Sequence, residues 1–315
     1  MYESWWQMWG RGPSLLTNET DQQLTCEQDK FKRVTNQCTY NHKDVLGVVF
    51  AFTCGVLVCF AYCGNVFWFM VLAACLAYWI KQNPLVCVYG PSAVLTAFLR
   101  TEEVLNADTH FPSHLLFTTA DIRREVSDFV NVHTLVSTAS TFDGENAYIG
   151  RGGTGENMWR LHLVMVLDTF CNNAAVHFPC LKRALEACPN VISCAISVLQ
   201  PGVKIPMHVG YYKGILRYMV AVTVPADRTR AWLNVNGLHI NWEEGKGFLW
   251  DDMYPHAAYN TTSETRVVLY FDVLRSTGLP VWVSVLNRHL MTLVKLTGIA
   301  NKEIKKTEQV VTHVQ

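Results

Sequence analysis

Apolar and polar positions along the chain fall into three regimes. In the first, 36 consecutive residues, 45–80, lack any charged side chain, and 31 of them are apolar. As one helix this run would extend about 54 Å, against a hydrocarbon thickness of about 30 Å. Two passes fit that length, and Cys63-Gly64-Asn65 offers the break between 45–62 and 66–80. The alternative is one tilted span with an interfacial stretch. Ahead of the run lies a polar tail, 1–44, with Trp5, Trp6 and Trp9 near its start.

In the second regime residues 85–135 read mostly helical, with helical spacing of apolar positions from Asp121 to Val130, and 136–158 reads as loop. Gly150, Gly152 and Gly155 match the dinucleotide-binding glycine pattern. The next segment, 159–167, reads as a strand or an ambiguous apolar run and not as the required helix, so the glycines are assigned to a loop. A short helix follows at 178–187.

From Val191 onward short β-branched or aromatic runs alternate with turns. Runs at 191–199, 203–207, 216–224, 230–235, 238–242, 247–250 and 266–274 are separated by Pro201-Gly202, Asn236-Gly237 and Glu244-Gly245. Such spacing predicts a sandwich or barrel. The expected fold is mainly β, a double-stranded β-helix (jelly roll) with flanking N-terminal helices, preceded by a transmembrane helical segment. The expected divisions are 1–44 tail, 45–80 transmembrane segment, 85–158 helical flank and loop, 159–280 jelly roll, and 281–315 amphipathic helix with a polar tail.

Charge narrows the function. The chain has 315 residues, with 26 Lys+Arg against 26 Asp+Glu, and no basic cluster. Nucleic acid is therefore excluded as a partner. Lys30, Lys32, Arg33 and Lys43 precede the apolar run and only Lys81 closely follows it, which places the tail in the cytoplasm. Two passes then make the main domain cytoplasmic, and a single span makes it lumenal. The cysteines downstream of the run, Cys87, Cys171, Cys180, Cys188 and Cys194, contain no CxxC pair and signal neither zinc nor a disulfide framework. Asn18 and Asn260 head glycosylation sequons.

Two histidines carry the candidate chemistry. His208 ends one strand, and His256 lies 48 residues later, shortly before another. Strand ends of a jelly roll converge on one mouth, and neutral imidazoles suit iron(II), so the two can share a metal. Arg266 lies ten residues beyond His256, and period two puts Val268 and Tyr270 on its face. A buried arginine there needs a carboxylate, which its planar fork can grip bidentately.

Three stretches carry a family resemblance: Ser197-Val-Leu-Gln-Pro-Gly-Val-Lys-Ile-Pro-Met-His208 running on to Arg217-Tyr218, Trp242 to Asn260 around Asp251-Asp252-Met-Tyr-Pro-His256, and Arg266-Val-Val-Leu-Tyr-Phe-Asp272. In that order and spacing, the span from about 159 to 275 resembles the aspartyl/asparaginyl β-hydroxylase family of iron(II)- and 2-oxoglutarate-dependent oxygenases. Leu279-Pro280 and the helix beginning near Trp282 look similar to the branch with membrane-bound lipid A hydroxylases. The resemblance implies that His208 and His256 bind iron, that Arg266 holds the distal carboxylate of 2-oxoglutarate, and that Ser197 and Arg217 help seat this cosubstrate, with O2 as co-reactant. It also implies glycine at position 210, where related oxygenases carry a carboxylate ligand. Asp251 and Asp252 read as turn or outer groups.

Met219 departs from the resemblance, because the family has histidine there. A thioether cannot donate a hydrogen bond to a carboxylate, and losing one such contact costs about 1.5–3 kcal/mol. The expected function is a membrane-anchored hydroxylase, a dioxygenase whose substrate is a lipid acyl chain or a protein Asp/Asn side chain. The alternative is a membrane-tethered jelly-roll scaffold without turnover. On the C-terminal helix Val283, Leu286, Leu290, Leu293 and Val294 are expected on one face, with Arg288 and Lys295 toward another, which leans toward lipid.

Overall fold

The computed structural model describes residues 86–99, 101–138, 158–308 and 311–312, together with positions 70, 71, 74, 75 and 78. The polar tail, nearly all of the apolar run and the Gly150–Gly155 loop lie outside the described residues. Among the described residues no helix is long and apolar enough to cross a membrane.

Helix α1 (Val86–Phe98) leads through two short helical turns to α2 (Ala120–Val132). Nine longer strands follow among the described residues: β1 (Trp159–Val166), β2 (Val191–Leu199), β3 (Lys204–His208), β4 (Ile215–Thr223), β5 (Ala231–Val235), β6 (Leu238–Asn241), β7 (Gly247–Trp250), β8 (His256–Asn260) and β9 (Arg266–Leu274). Helix α3 (Pro179–Glu186) sits between β1 and β2, and α4 (Val281–Leu296) and α5 (Ile299–Thr307) follow β9.

Strand order gives the architecture. One sheet runs β7-β4-β9-β2-β1 through its centre, and the other runs β6-β5-β8-β3. From β2 onward the chain passes back and forth between the sheets, all neighbouring pairs being antiparallel. That winding is the double-stranded β-helix. β8 is an addition to the sequence expectation, which left 256–260 without a strand. Residues 299–307, assigned in sequence to a polar tail, form α5, which buries Ile304 and Thr307.

The central strands are near-continuous apolar runs because both their faces are covered. On β9, Leu269, Phe271 and Val273 join a core beneath α2 and α3, while Val268 and Tyr270 face the interior between the sheets. β4 divides in the same way, with Tyr218 and Val220 outward and Met219 and Ala221 inward. α2 contributes Ile122, Val126 and Phe129, spaced to fall on one helical face. Its Glu125 accepts from the backbone N–H groups of Cys180 at 2.7 Å and Leu181 at 3.1 Å, where the start of α3 leaves donors unpaired. Asn236 and Gly237, both at positive φ, make the two-residue turn between β5 and β6.

Candidate metal and carboxylate site

His208 and His256 are direct partners on the ladder between β3 and β8. Ile205 pairs with Ala258, so three steps along β3 match two along β8, and a β-bulge lies at Pro206-Met207. Without it, period two would turn His208 away from Ile205 and out of the interior. β3 is an edge strand, where proline and a bulge are tolerated. The two rings are 4.0 Å apart between centroids, and Trp250 meets His256 edge-on at 4.6 Å.

Hydrogen bonding fixes the tautomers. Nδ1 of His208 lies 2.8 Å from the Pro206 carbonyl, and Nδ1 of His256 lies 2.9 Å from the Tyr254 carbonyl. A carbonyl only accepts, so each Nδ1 carries the proton and each Nε2 keeps its lone pair. Burial pushes the His208 imidazole down to about pKa 4 and the His256 imidazole well below its usual range. Two neutral rings with bare Nε2 atoms side by side are a donor set that fits a transition-metal ion. Among the described residues no third His, Cys, Asp or Glu completes a cluster with them.

Gly210 explains why no carboxylate stands two residues after His208. A Cβ there would overlap the Asp252 carboxylate, and the Gly210 N–H donates to the Asp252 carbonyl at 2.6 Å. Asp252 is buried, which raises its carboxyl to about pKa 6 despite the pull of Arg217. Asp251 is fully buried and accepts from Thr101 Oγ1 at 2.7 Å, Lys213 Nζ at 2.5 Å and Arg275 Nη2 at 2.7 Å. It clamps the loop after His208.

The two candidate arginines differ in what they already hold. Arg217 pairs with Asp272 Oδ1 at 3.0 Å and Asp252 Oδ2 at 3.2 Å, and it lies over the Tyr270 ring. Its charge is met by protein carboxylates. Arg266 is 1% exposed, yet no described carboxylate pairs with it, and burial draws its guanidinium down to about pKa 9. It stacks over Trp242 at 5.0 Å and gives Nη2 to Ser197 Oγ at 3.3 Å, while its Nε has no acceptor among the described residues.

Two more buried donors are unmet among the described residues: the indole N–H groups of Trp242 and Trp250, whose rings line the same interior. Ser197 Oγ accepts from both Arg266 and Trp159 Nε1, the latter at 2.9 Å, so both lone pairs are used and its proton is left to donate. Buried donors are rarely left unpaired in native proteins, and several together mark a place for an acceptor-rich ligand. Met219 is buried in this interior too, paired across the sheet with Tyr270 and Phe248.

The structure thus brings His208, His256, Ser197, Arg217 and Arg266 to one side of the sheets. Sequence reasoning gave no role to Trp242 and Trp250 or to the Asp272 that engages Arg217. Parity along β9 could have found Asp272, which lies on the face of Arg266 and Tyr270.

Comparisons with known proteins cover much the same stretch of chain. The profile of a family described as aspartyl/asparaginyl beta-hydroxylase matches residues 118–276. The ornithine lipid ester-linked acyl 2-hydroxylase of Rhizobium tropici is 27% identical over 151 residues, covering 48% of this chain and 49% of that protein. The chain therefore spans about half the length of the curated relative it matches. Among solved structures, a predicted oxalate decarboxylase from Thermotoga maritima has a TM-score of 0.28 at 15% identity, covering 45% of this chain and 92% of that chain. A cupin domain from an Enterobacter cloacae transcriptional regulator has a TM-score of 0.27 at 12% identity, covering 38% and 98%. Both scores are low, and the fold rests on the strand order itself.

Proposed function

Because the chain belongs to the aspartyl/asparaginyl β-hydroxylase family, we propose that it is an iron(II)- and 2-oxoglutarate-dependent hydroxylase held at a membrane and acting on a lipid acyl chain. The observation that carries this proposal is the set of unmet donors around Arg266, beside two histidines with bare Nε2 atoms. Iron bound with 2-oxoglutarate and O2 supplies the oxidation of an unactivated C–H bond.

The protein's part is binding and orientation. His208 and His256 would hold the metal through Nε2, their rings locked by the carbonyls of Pro206 and Tyr254. Arg266 offers the distal carboxylate of the cosubstrate a charge that no described carboxylate answers, and Ser197 adds the hydroxyl proton. Arg217, held between Asp252 and Asp272, brings a second positive charge near the histidines and favours their neutral forms. The buried aromatic rings of Trp242, Trp250 and Tyr254 in this interior would shield a cosubstrate there from water. A lipid substrate is supported by the acyl-chain activity in the relative's name and by the uncharged run at 45–80.

A second reading, a membrane-tethered scaffold without turnover, is favoured by Met219 alone. Purified protein with iron(II), ascorbate and 2-oxoglutarate should release succinate, and His256→Ala should not. Lipids extracted from expressing cells should carry one added oxygen. Wild-type succinate release no greater than that of His256→Ala, in correctly folded protein, would favour the scaffold, and oxidation of a peptide Asp or Asn in place of lipid would redirect the substrate class.

A further inference from the structure

Helix α4 is apolar on two opposite sides. Its inner side sets Met291 and Val294 against Val88 of α1, with Tyr212 and Leu274 in the same core. Its outer side exposes Trp282, Leu286, Leu293 and Leu296, with Val285 beside them, at alternating spacings of four and three residues once His289 is included. α1 adds Val94 and Phe98, the latter 83% exposed. A helix stripe this apolar is normally buried against a partner.

Charge and chain position say what covers it. Neither α1 nor α4 contains an acidic residue, and α4 carries Arg288 and Lys295 on its flank. Both cations are tied to the domain, Arg288 to the Pro189 carbonyl at 3.0 Å and Lys295 to the Asp168 carbonyl at 3.1 Å, which holds them at the rim of the stripe. The uncharged run ends at Ile80, six residues before α1 begins, so α1 starts within about 20 Å of the membrane that such a run would enter.

We infer that the outer face of α4, with the exposed end of α1, docks in the headgroup region of a lipid bilayer and seats the metal-site edge of the β-helix against the membrane. The inference rests on the membrane-held reading above. The same helices grip the loop that follows His208. Asn287 of α4 accepts from Tyr212 Oη at 2.8 Å and donates to the Gly214 carbonyl at 2.7 Å, and Ser92 of α1 accepts from the Lys213 backbone N–H at 3.0 Å. The bilayer face and the histidine loop are thus the two sides of one helical layer, which sets the loop after His208 next to the interface.

The full chain in vesicles of equal parts phosphatidylcholine and phosphatidylglycerol, doped with a phosphatidylcholine bearing an acyl-chain diazirine, tests this by photolabelling and peptide mapping. Label is expected on 282–296 as well as on 45–80. Leu286→Glu with Leu293→Glu should cut α4 labelling on the order of tenfold while leaving that of 45–80 unchanged. Val176→Glu, an exposed apolar position on another helix, should change neither. Label confined to 45–80, α4 cross-linked to that run, or α4 cross-linked to a second copy would each overturn the docking surface. Labelling needs no turnover, so failure of the hydroxylase reading shows in succinate release and failure of the docking surface shows in the label.

Discussion

His208 and His256 stand directly opposite each other on neighbouring strands, their ring centroids 4.0 Å apart, each with Nδ1 engaged by a carbonyl two residues upstream. The pairing predicts that neither histidine suffices alone. His208→Ala and His256→Ala should each lower bound iron and succinate release by more than about 100-fold, measured by metal analysis and end-point assay. Both variants should keep the wild-type circular dichroism, since each removes one ring from a β-ladder whose backbone bonds remain.

Arg266 predicts a cosubstrate effect separate from the metal effect. Arg266→Met keeps the volume over Trp242 and removes the charge, so iron should still bind while the KM for 2-oxoglutarate rises about 10–100-fold. Arg266→Lys should rescue only part of this loss, because an ammonium lacks the planar fork. An unchanged KM in Arg266→Met would remove this residue from the carboxylate site.

Met219→His restores a donor in the same interior. It should tighten 2-oxoglutarate by one to two decades, on the order of 1.5–3 kcal/mol for a charge-assisted hydrogen bond. A titration of succinate release against cosubstrate reads this directly.

Gly210→Ala should destabilise the fold by about 1–3 kcal/mol, because its Cβ has to displace the Asp252 carboxylate. Thermal unfolding measures the loss. Gly210→Asp should fare worse and should not create a third ligand.

His162 predicts a pH dependence outside the site. Burial holds this imidazole down to about pKa 4, with its ring against Phe129 and Phe178, while the unfolded chain protonates it near 6.5. Between these values the unfolded state binds the extra proton, so stability falls as pH drops from 6.5 toward 4, by about 3 kcal/mol in all. Asp252, raised to about 6, acts in the opposite direction, since its folded form binds the extra proton between 3.8 and 6. His162→Gln leaves Asp252 in place, so the difference between the two denaturation profiles isolates the imidazole.

The strands buried on both faces were legible because burial leaves a continuous apolar run, and β2, β4 and β9 came through within a residue or two. β8 was not. His256-Ala-Ala-Tyr-Asn260 has little intrinsic strand character, and it is a strand because β3 and β5 pair with it from both sides. The site residues were legible as letters, but the partners that separate Arg217 from Arg266 lie on other strands and leave no trace in spacing. On α4 the expected single apolar face divides: Val294 turns inward, Leu286 and Leu293 point out, and Val283 and Leu290 lie between. Periodicity locates an apolar arc without saying which part of it the domain covers.

The bulge at Pro206-Met207 makes the metal pair depend on a count of residues as well as on their kinds. Deleting either residue would leave a four-residue strand of ordinary composition, and Ile205 would still meet Ala258. The spacing to His208 would then be even, so His208 would still meet His256 and face inward, whereas straightening the strand at its full length would turn His208 outward while both histidines survive in the sequence.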